Sequence, residues 1–108
     1  MTERDAGAVF SALSDPTRRE VMRRLSDRGP STLSELAAGL PVTRQAVAKH
    51  LSMLERAGLV SPTSEDRRRR YVLTPGPLTD AAGWIAEVGA EWDERLAALK
   101  RHVERRSR

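Results

Sequence analysis

Apolar positions recur at helical spacing as far as Gly58, lose that spacing between Leu59 and Thr74, and regain it from Leu78 onward. Val9, Phe10 and Leu13 mark one side of a first helix over about residues 5–13. Asp15 offers an N-cap acceptor and Pro16 a preset φ for a first helical position, so the chain restarts there. Val21, Met22 and Leu25 form the inward stripe of the second helix, which Arg28-Gly29-Pro30 ends. Thr32, with Glu35 three residues later, is a capping box. It opens a third helix whose Leu33, Leu36, Ala37 and Leu40 face inward and which Gly39 and Pro41 close. Thr43 caps a fourth helix over about residues 44–57, with Val47, Leu51 and Leu54 inward and Gly58 at its end.

The third and fourth helices are joined only by Leu40-Pro41-Val42-Thr43, which is a helix-turn-helix layout with the fourth as reader. Leu59–Thr63 then reads as extended, Ser64–Arg67 as a turn, and Arg68–Thr74 as a second strand with Tyr71 and Leu73 packed back on the body. A hairpin directly behind a helix-turn-helix is a wing. From Leu78 to about Arg106 one long helix follows. Leu78, Ile85, Trp92 and Leu99 stand seven apart on it, with Ala82, Gly89, Leu96 and Val103 between them. Such a seam is too long to bury against so small a body, so it predicts dimerisation, helped by the first helix. The alternatives are packing within one chain, or Trp84 and Trp92 lining a ligand pocket.

The expected fold is therefore mainly α with a small β-hairpin, a winged helix-turn-helix in one domain over residues 1–108. Within it the helix-turn-helix covers 32–57, the wing 59–74 and the dimerising helix 78–106. The expected homodimer contacts are Val9, Phe10, Leu13, Leu78, Ile85, Trp92, Leu96, Leu99 and Val103.

Charge sharpens this picture. The net charge is +4, and residues 1–43 and 73–108 each balance six basic side chains with six acids. Residues 44–72 hold Arg44, Lys49, Arg56 and Arg67–Arg70 against Glu55, Glu65 and Asp66, so the whole excess lies in the reader and wing. A localised basic patch is the footprint of a polyanion, most simply duplex DNA. The absence of cysteine excludes disulfides and thiolate chemistry. No apolar run reaches membrane-span length and the first residues lead into none, so a cytoplasmic protein without membrane association is expected.

With Val47, Leu51 and Leu54 inward, Arg44, Gln45, Ala48, Lys49 and Ser52 fall on the outward side of the reader. Arg44 suits a bidentate contact to guanine and Gln45 one to adenine, while Ala48 keeps the backbone close to the bases. Lys49 and Ser52 suit phosphates, and Thr43 combines capping with phosphate reach. His50 joins this set as a phosphate contact, its other role being a hydrogen bond at the buried edge. Arg67, Arg68, Arg69 and Arg70 are expected to hold phosphates or enter a minor groove, with Arg68 and Arg70 on one face and Arg67 and Arg69 on the other. No nucleophile–base grouping, phosphate loop or histidine pair appears, so an enzyme, a cofactor and a metal site are not expected.

The runs Ala12-Leu13-Ser14-Asp15-Pro16-Thr17-Arg18-Arg19, Leu33-Ser34-Glu35-Leu36-Ala37 and Thr43–Leu51 resemble ArsR-type (ArsR/SmtB) bacterial transcriptional regulators. So do Leu54–Val60 and Arg69–Thr74. The resemblance implies a homodimeric winged helix-turn-helix repressor on an operator of two-fold symmetry, paired through its first and last helices. It also implies what is missing. Metal-sensing members carry cysteine after Glu-Leu, where this chain has Ala37-Ala38-Gly39. Others carry an acid–histidine set on the last helix, at positions that here are Gly89, Glu91, His102 and Arg105. A metal-independent branch is expected, with the inducer open. The competing reading is a basic interaction module for an acidic protein or RNA.

Overall fold

Asp15 accepts the Arg18 amide at 3.0 Å with extended backbone, and Pro16 follows as the first helical residue. This junction separates α1 (Glu3–Leu13) from α2 (Pro16–Arg28). In the computed structural model, which describes residues 3–65 and 67–106, β1 (Ser31–Thr32), α3 (Leu33–Ala37), α4 (Arg44–Arg56), β2 (Val60–Glu65), β3 (Arg68–Leu73) and α5 (Gly76–Arg106) follow. Met1, Thr2, Asp66, Ser107 and Arg108 lie outside the described residues, Asp66 being part of the expected turn.

The expected stripes meet in one core. Ala12, Val21, Met22, Leu25, Leu36, Val47, Leu51, Leu54, Leu59 and Val60 form a single buried cluster. Tyr71 and Leu73 pack against it from the wing, and Leu13 and Leu78 from the ends of α1 and α5. Each buried leucine or valine contributes roughly 1.5–3 kcal/mol relative to exposure.

Three local features depart from the sequence reading. The hairpin is part of a three-stranded antiparallel sheet of order β1-β3-β2, with Ser31 opposite Tyr71 and Thr32 opposite Arg70. Two residues are too few for period-two alternation to reveal, so β1 is hidden beneath the capping signal. The third helix stops at Ala37 rather than reaching Leu40, because Gly39 takes a left-handed φ of +77°, and Arg24 of α2 donates to the carbonyls of Leu36 (3.0 Å) and Ala38 (2.6 Å). That contact satisfies carbonyls a longer helix would have used. The last helix starts at Gly76, two residues before Leu78, and runs 31 residues, about 46 Å at the α-helical rise.

That length draws the molecule out to 72 × 27 × 23 Å. Among the residues of α5, Ala81 is buried, whereas Ile85, Trp92, Leu96, Leu99 and Val103 are each more than half exposed and Trp84 is 48% exposed. The Trp84 ring packs against Phe10 of α1 with centroids 5.7 Å apart. Of the expected dimer contacts, Val9 requires correction. It is 1% exposed inside the protomer and has no surface left for a partner. Leu13 and Leu78 are likewise partly claimed by the protomer's own core.

Candidate nucleic-acid interface

The reader helix is held by its buried side. Val47, Leu51 and Leu54 are at most 1% exposed. Thr43 caps the helix by accepting the Ala46 amide at 3.0 Å. This anchoring turns Arg44, Gln45, Ala48, Lys49 and Ser52 outward, all exposed, as one continuous row. Arg44 and Lys49 have no ion-pair partner among the described residues.

His50 departs from that row. Its Nδ1 lies 3.3 Å from Nη1 of Arg18, a side chain only 8% exposed. Arginine has no acceptor, so the guanidinium donates and Nδ1 accepts. Of its two expected roles, the hydrogen bond at the buried edge is the one the protomer shows, because its position on the helix falls beside the buried stripe. Asp15 lies at the same junction. Its carboxyl is held below the ordinary range chiefly by the Arg18 amide it accepts, with the Arg18 charge adding to the effect.

The four wing arginines divide into two pairs. Arg70 Nη1 donates to Glu35 Oε1 at 3.1 Å, and the same oxygen accepts the Thr32 hydroxyl at 2.9 Å and the Thr32 amide at 3.3 Å. Thr32 in turn accepts the Glu35 amide at 3.2 Å. These bonds hold the Glu35 carboxyl below its ordinary range, the Thr32 bonds first and the Arg70 charge after them. Arg70 thus ties β3 to the start of α3. Arg69 lies 3.8 Å from Glu55 of α4 and stacks over Tyr71 at 5.5 Å. Both are expected on phosphates, and within the protomer each also faces an acid on a neighbouring helix, Arg70 the more closely.

Arg67 and Arg68 remain exposed, with no ion-pair partner among the described residues. Arg67 occupies the left-handed region, φ +63°. The expected alternation of faces does not hold at the tip. Arg68 and Arg69 both line a depression of about 490 Å³ with Arg44, Thr32, Leu33, Ser34 and Glu35. Long side chains on a twisted ribbon end reach to either side of it. The depression joins the N-terminus of the reader to the wing, an electropositive concavity suited to a phosphate backbone. Sequence reasoning missed Glu35 and Glu55 as partners of the wing. Glu35 is visible as a capping residue, but nothing in the spacing ties it to Arg70, 35 residues away.

No three His, Asp or Glu side chains cluster so as to hold a metal ion among the described residues. Among the described residues no helix is long and apolar enough to cross a membrane.

Comparison with known proteins agrees with this geometry. Residues 13–63 match a helix-turn-helix domain family. The chain is 43% identical over 103 residues to the HTH-type transcriptional regulator Rv2034 of Mycobacterium tuberculosis, covering 95% of this chain and 92% of that one. An ArsR-like transcriptional regulator from Rhodococcus sp. RHA1 superposes with a TM-score of 0.82 at 44% identity, covering 91% of this chain and 92% of that one. The cadmium metal-sensor CmtR of M. tuberculosis is 43% identical over 62% of this chain and 68% of its own, with a TM-score of 0.55. A reader helix with an exposed polar row, a wing on β3 and near-full-length likeness to such regulators place this chain in the ArsR family of winged helix-turn-helix transcriptional regulators.

Proposed function

We propose that the protein represses transcription as a homodimer that grips an operator of two-fold symmetry, without needing a metal. The observation that carries this reading is the exposed row Arg44, Gln45, Ala48, Lys49 and Ser52, continuous through one depression with Arg68 of the wing. The first residues of the row meet base edges in the major groove. Arg44 and Gln45 offer bidentate contacts to guanine and adenine. Lys49, Arg67 and Arg68 neutralise phosphates, and bound protein blocks polymerase at an overlapping promoter.

Pairing through α5 is supported by its exposed apolar seam and by its charge. Along α5 the acids Asp80, Glu87, Glu91, Asp93 and Glu94 come before the bases Arg95, Lys100, Arg101, Arg105 and Arg106, with Glu104 alone among the latter. Two antiparallel copies would set acids against bases. Two readers would then enter successive major grooves about 34 Å apart. Metal independence is supported by the missing donors, and a cytoplasmic location follows from the DNA target.

Sedimentation of the protein with a duplex selected from a random pool tests the reading. Two protomers per duplex are expected, with the same affinity in the presence of a chelator. One protomer per duplex, or loss of binding on chelation, would overturn it.

A further inference from the structure

Arg18 is nearly buried, yet no carboxylate stands within ion-pair distance of its guanidinium among the described residues. Nε donates to the Ala12 carbonyl at 3.0 Å and Nη2 to the Ser11 carbonyl at 2.8 Å. Both carbonyls belong to the last turn of α1, the negative end of its dipole. Nη1 reaches His50 Nδ1 at 3.3 Å and Met53 Sδ at 3.6 Å, both on α4. Three helices therefore meet in one side chain.

Burying a cation whose neighbouring carboxylate, Asp15, stands beyond ion-pair distance is costly, and an apolar side chain of similar volume would fill the space without that penalty. What the guanidinium adds is direction: fixed donors aimed at two carbonyls on one helix and one ring nitrogen on another. His50 and Met53 lie on the flank of α4 between its buried stripe and its exposed row. The same turn of α1 also touches the long helix, since Phe10, next to Ser11, packs on Trp84.

We infer that Arg18 is a positioning residue for base reading: through His50 it sets the pitch of α4 from the last turn of α1, so that placement of α1 and α5 governs how sharply α4 discriminates sequence. The inference rests on the proposed reading of DNA by α4. Arg18 itself touches no DNA. Phosphate contacts made by the wing do not pass through it. Loss of the link therefore lowers discrimination and leaves sequence-independent binding intact.

The test compares affinity for the tightest duplex selected from a random pool by the wild-type protein with affinity for its scrambled counterpart. His50→Leu removes the acceptor, and His50→Asn keeps an oxygen close to the place of Nδ1. His50→Leu is expected to lower the ratio of the two affinities about tenfold with scrambled-duplex affinity unchanged, whereas His50→Asn largely restores the ratio. Arg18→Met, which keeps length without donors, is expected to match His50→Leu, and it takes the place of that variant should the His50→Leu protein fail to fold. A ratio unchanged in a folded variant without the Arg18–His50 bond overturns the inference. So does equal loss on both duplexes with no rescue by His50→Asn, the mark of mere unfolding. A wild-type protein that does not discriminate at all instead defeats the underlying reading of α4.

Discussion

The division of the basic side chains makes the salt dependence of DNA binding a quantitative test. Lys49, Arg67 and Arg68 stand exposed and without ion-pair partners among the described residues, whereas Arg69 and Arg70 already face Glu55 and Glu35 at 3.8 and 3.1 Å. With Arg44 assigned to a base, three phosphate cations per protomer give about six per dimer. The log–log slope of affinity against salt is then about −5, or roughly a thousandfold loss between 50 and 200 mM. If Arg69 and Arg70 also left their acids for phosphates, the slope would steepen to about −9. Arg68→Gln is expected to flatten the slope by about 2, since two copies change, while Arg70→Gln leaves it within about 0.5. The assay is fluorescence anisotropy of a labelled duplex titrated at five salt concentrations. A wild-type slope near −9, or equal flattening by Arg68→Gln and Arg70→Gln, would refute the division of the wing into free and engaged cations.

Three further outcomes follow from the same geometry. Trp92, 57% exposed on the seam of α5, would bury on the order of 100 Å² per protomer in a dimer, so Trp92→Glu should weaken dimerisation by at least about a hundredfold in sedimentation equilibrium. An unchanged dimer would move the interface elsewhere. Arg67→Gly relieves a left-handed φ of +63°, worth up to about 1 kcal/mol, and should raise Tm by a few degrees while weakening DNA binding. A drop in Tm would show that the tip is unstrained. The Glu35 carboxyl is held below its ordinary value of 4.5, so its contribution is complete above that pH and fades as pH falls through the lowered value. Glu35→Gln should therefore flatten the acid limb of Tm against pH, and an unaltered limb would deny the Thr32–Glu35–Arg70 contact its role.

Much of the fold is legible in the sequence because its signals are local. Asp15-Pro16, the Thr32–Glu35 capping box and the Val47–Leu51–Leu54 stripe each act within one or two helical turns, and each sits where expected. The same stripe fixes the outward row of the reader by subtraction. What escapes are contacts between residues far apart in sequence. Arg18 and His50 are 32 positions apart, and Arg70 and Glu35 are 35 apart. An arginine's spacing does not say whether an acid or a carbonyl waits across the core, so the four wing arginines look alike in sequence. Val9 reads as a dimer contact because helical spacing marks an apolar side without saying whether the protomer or a partner covers it.

The central claim is that the first turn of α4 chooses the base sequence, and Arg44→Ala tests it most directly. In competition between a selected duplex and a scrambled one, the variant should lose roughly 1–3 kcal/mol of preference, about ten- to a hundredfold, with scrambled-duplex affinity nearly unchanged. Equal loss on both duplexes would contradict the account and reduce Arg44 to one more phosphate cation.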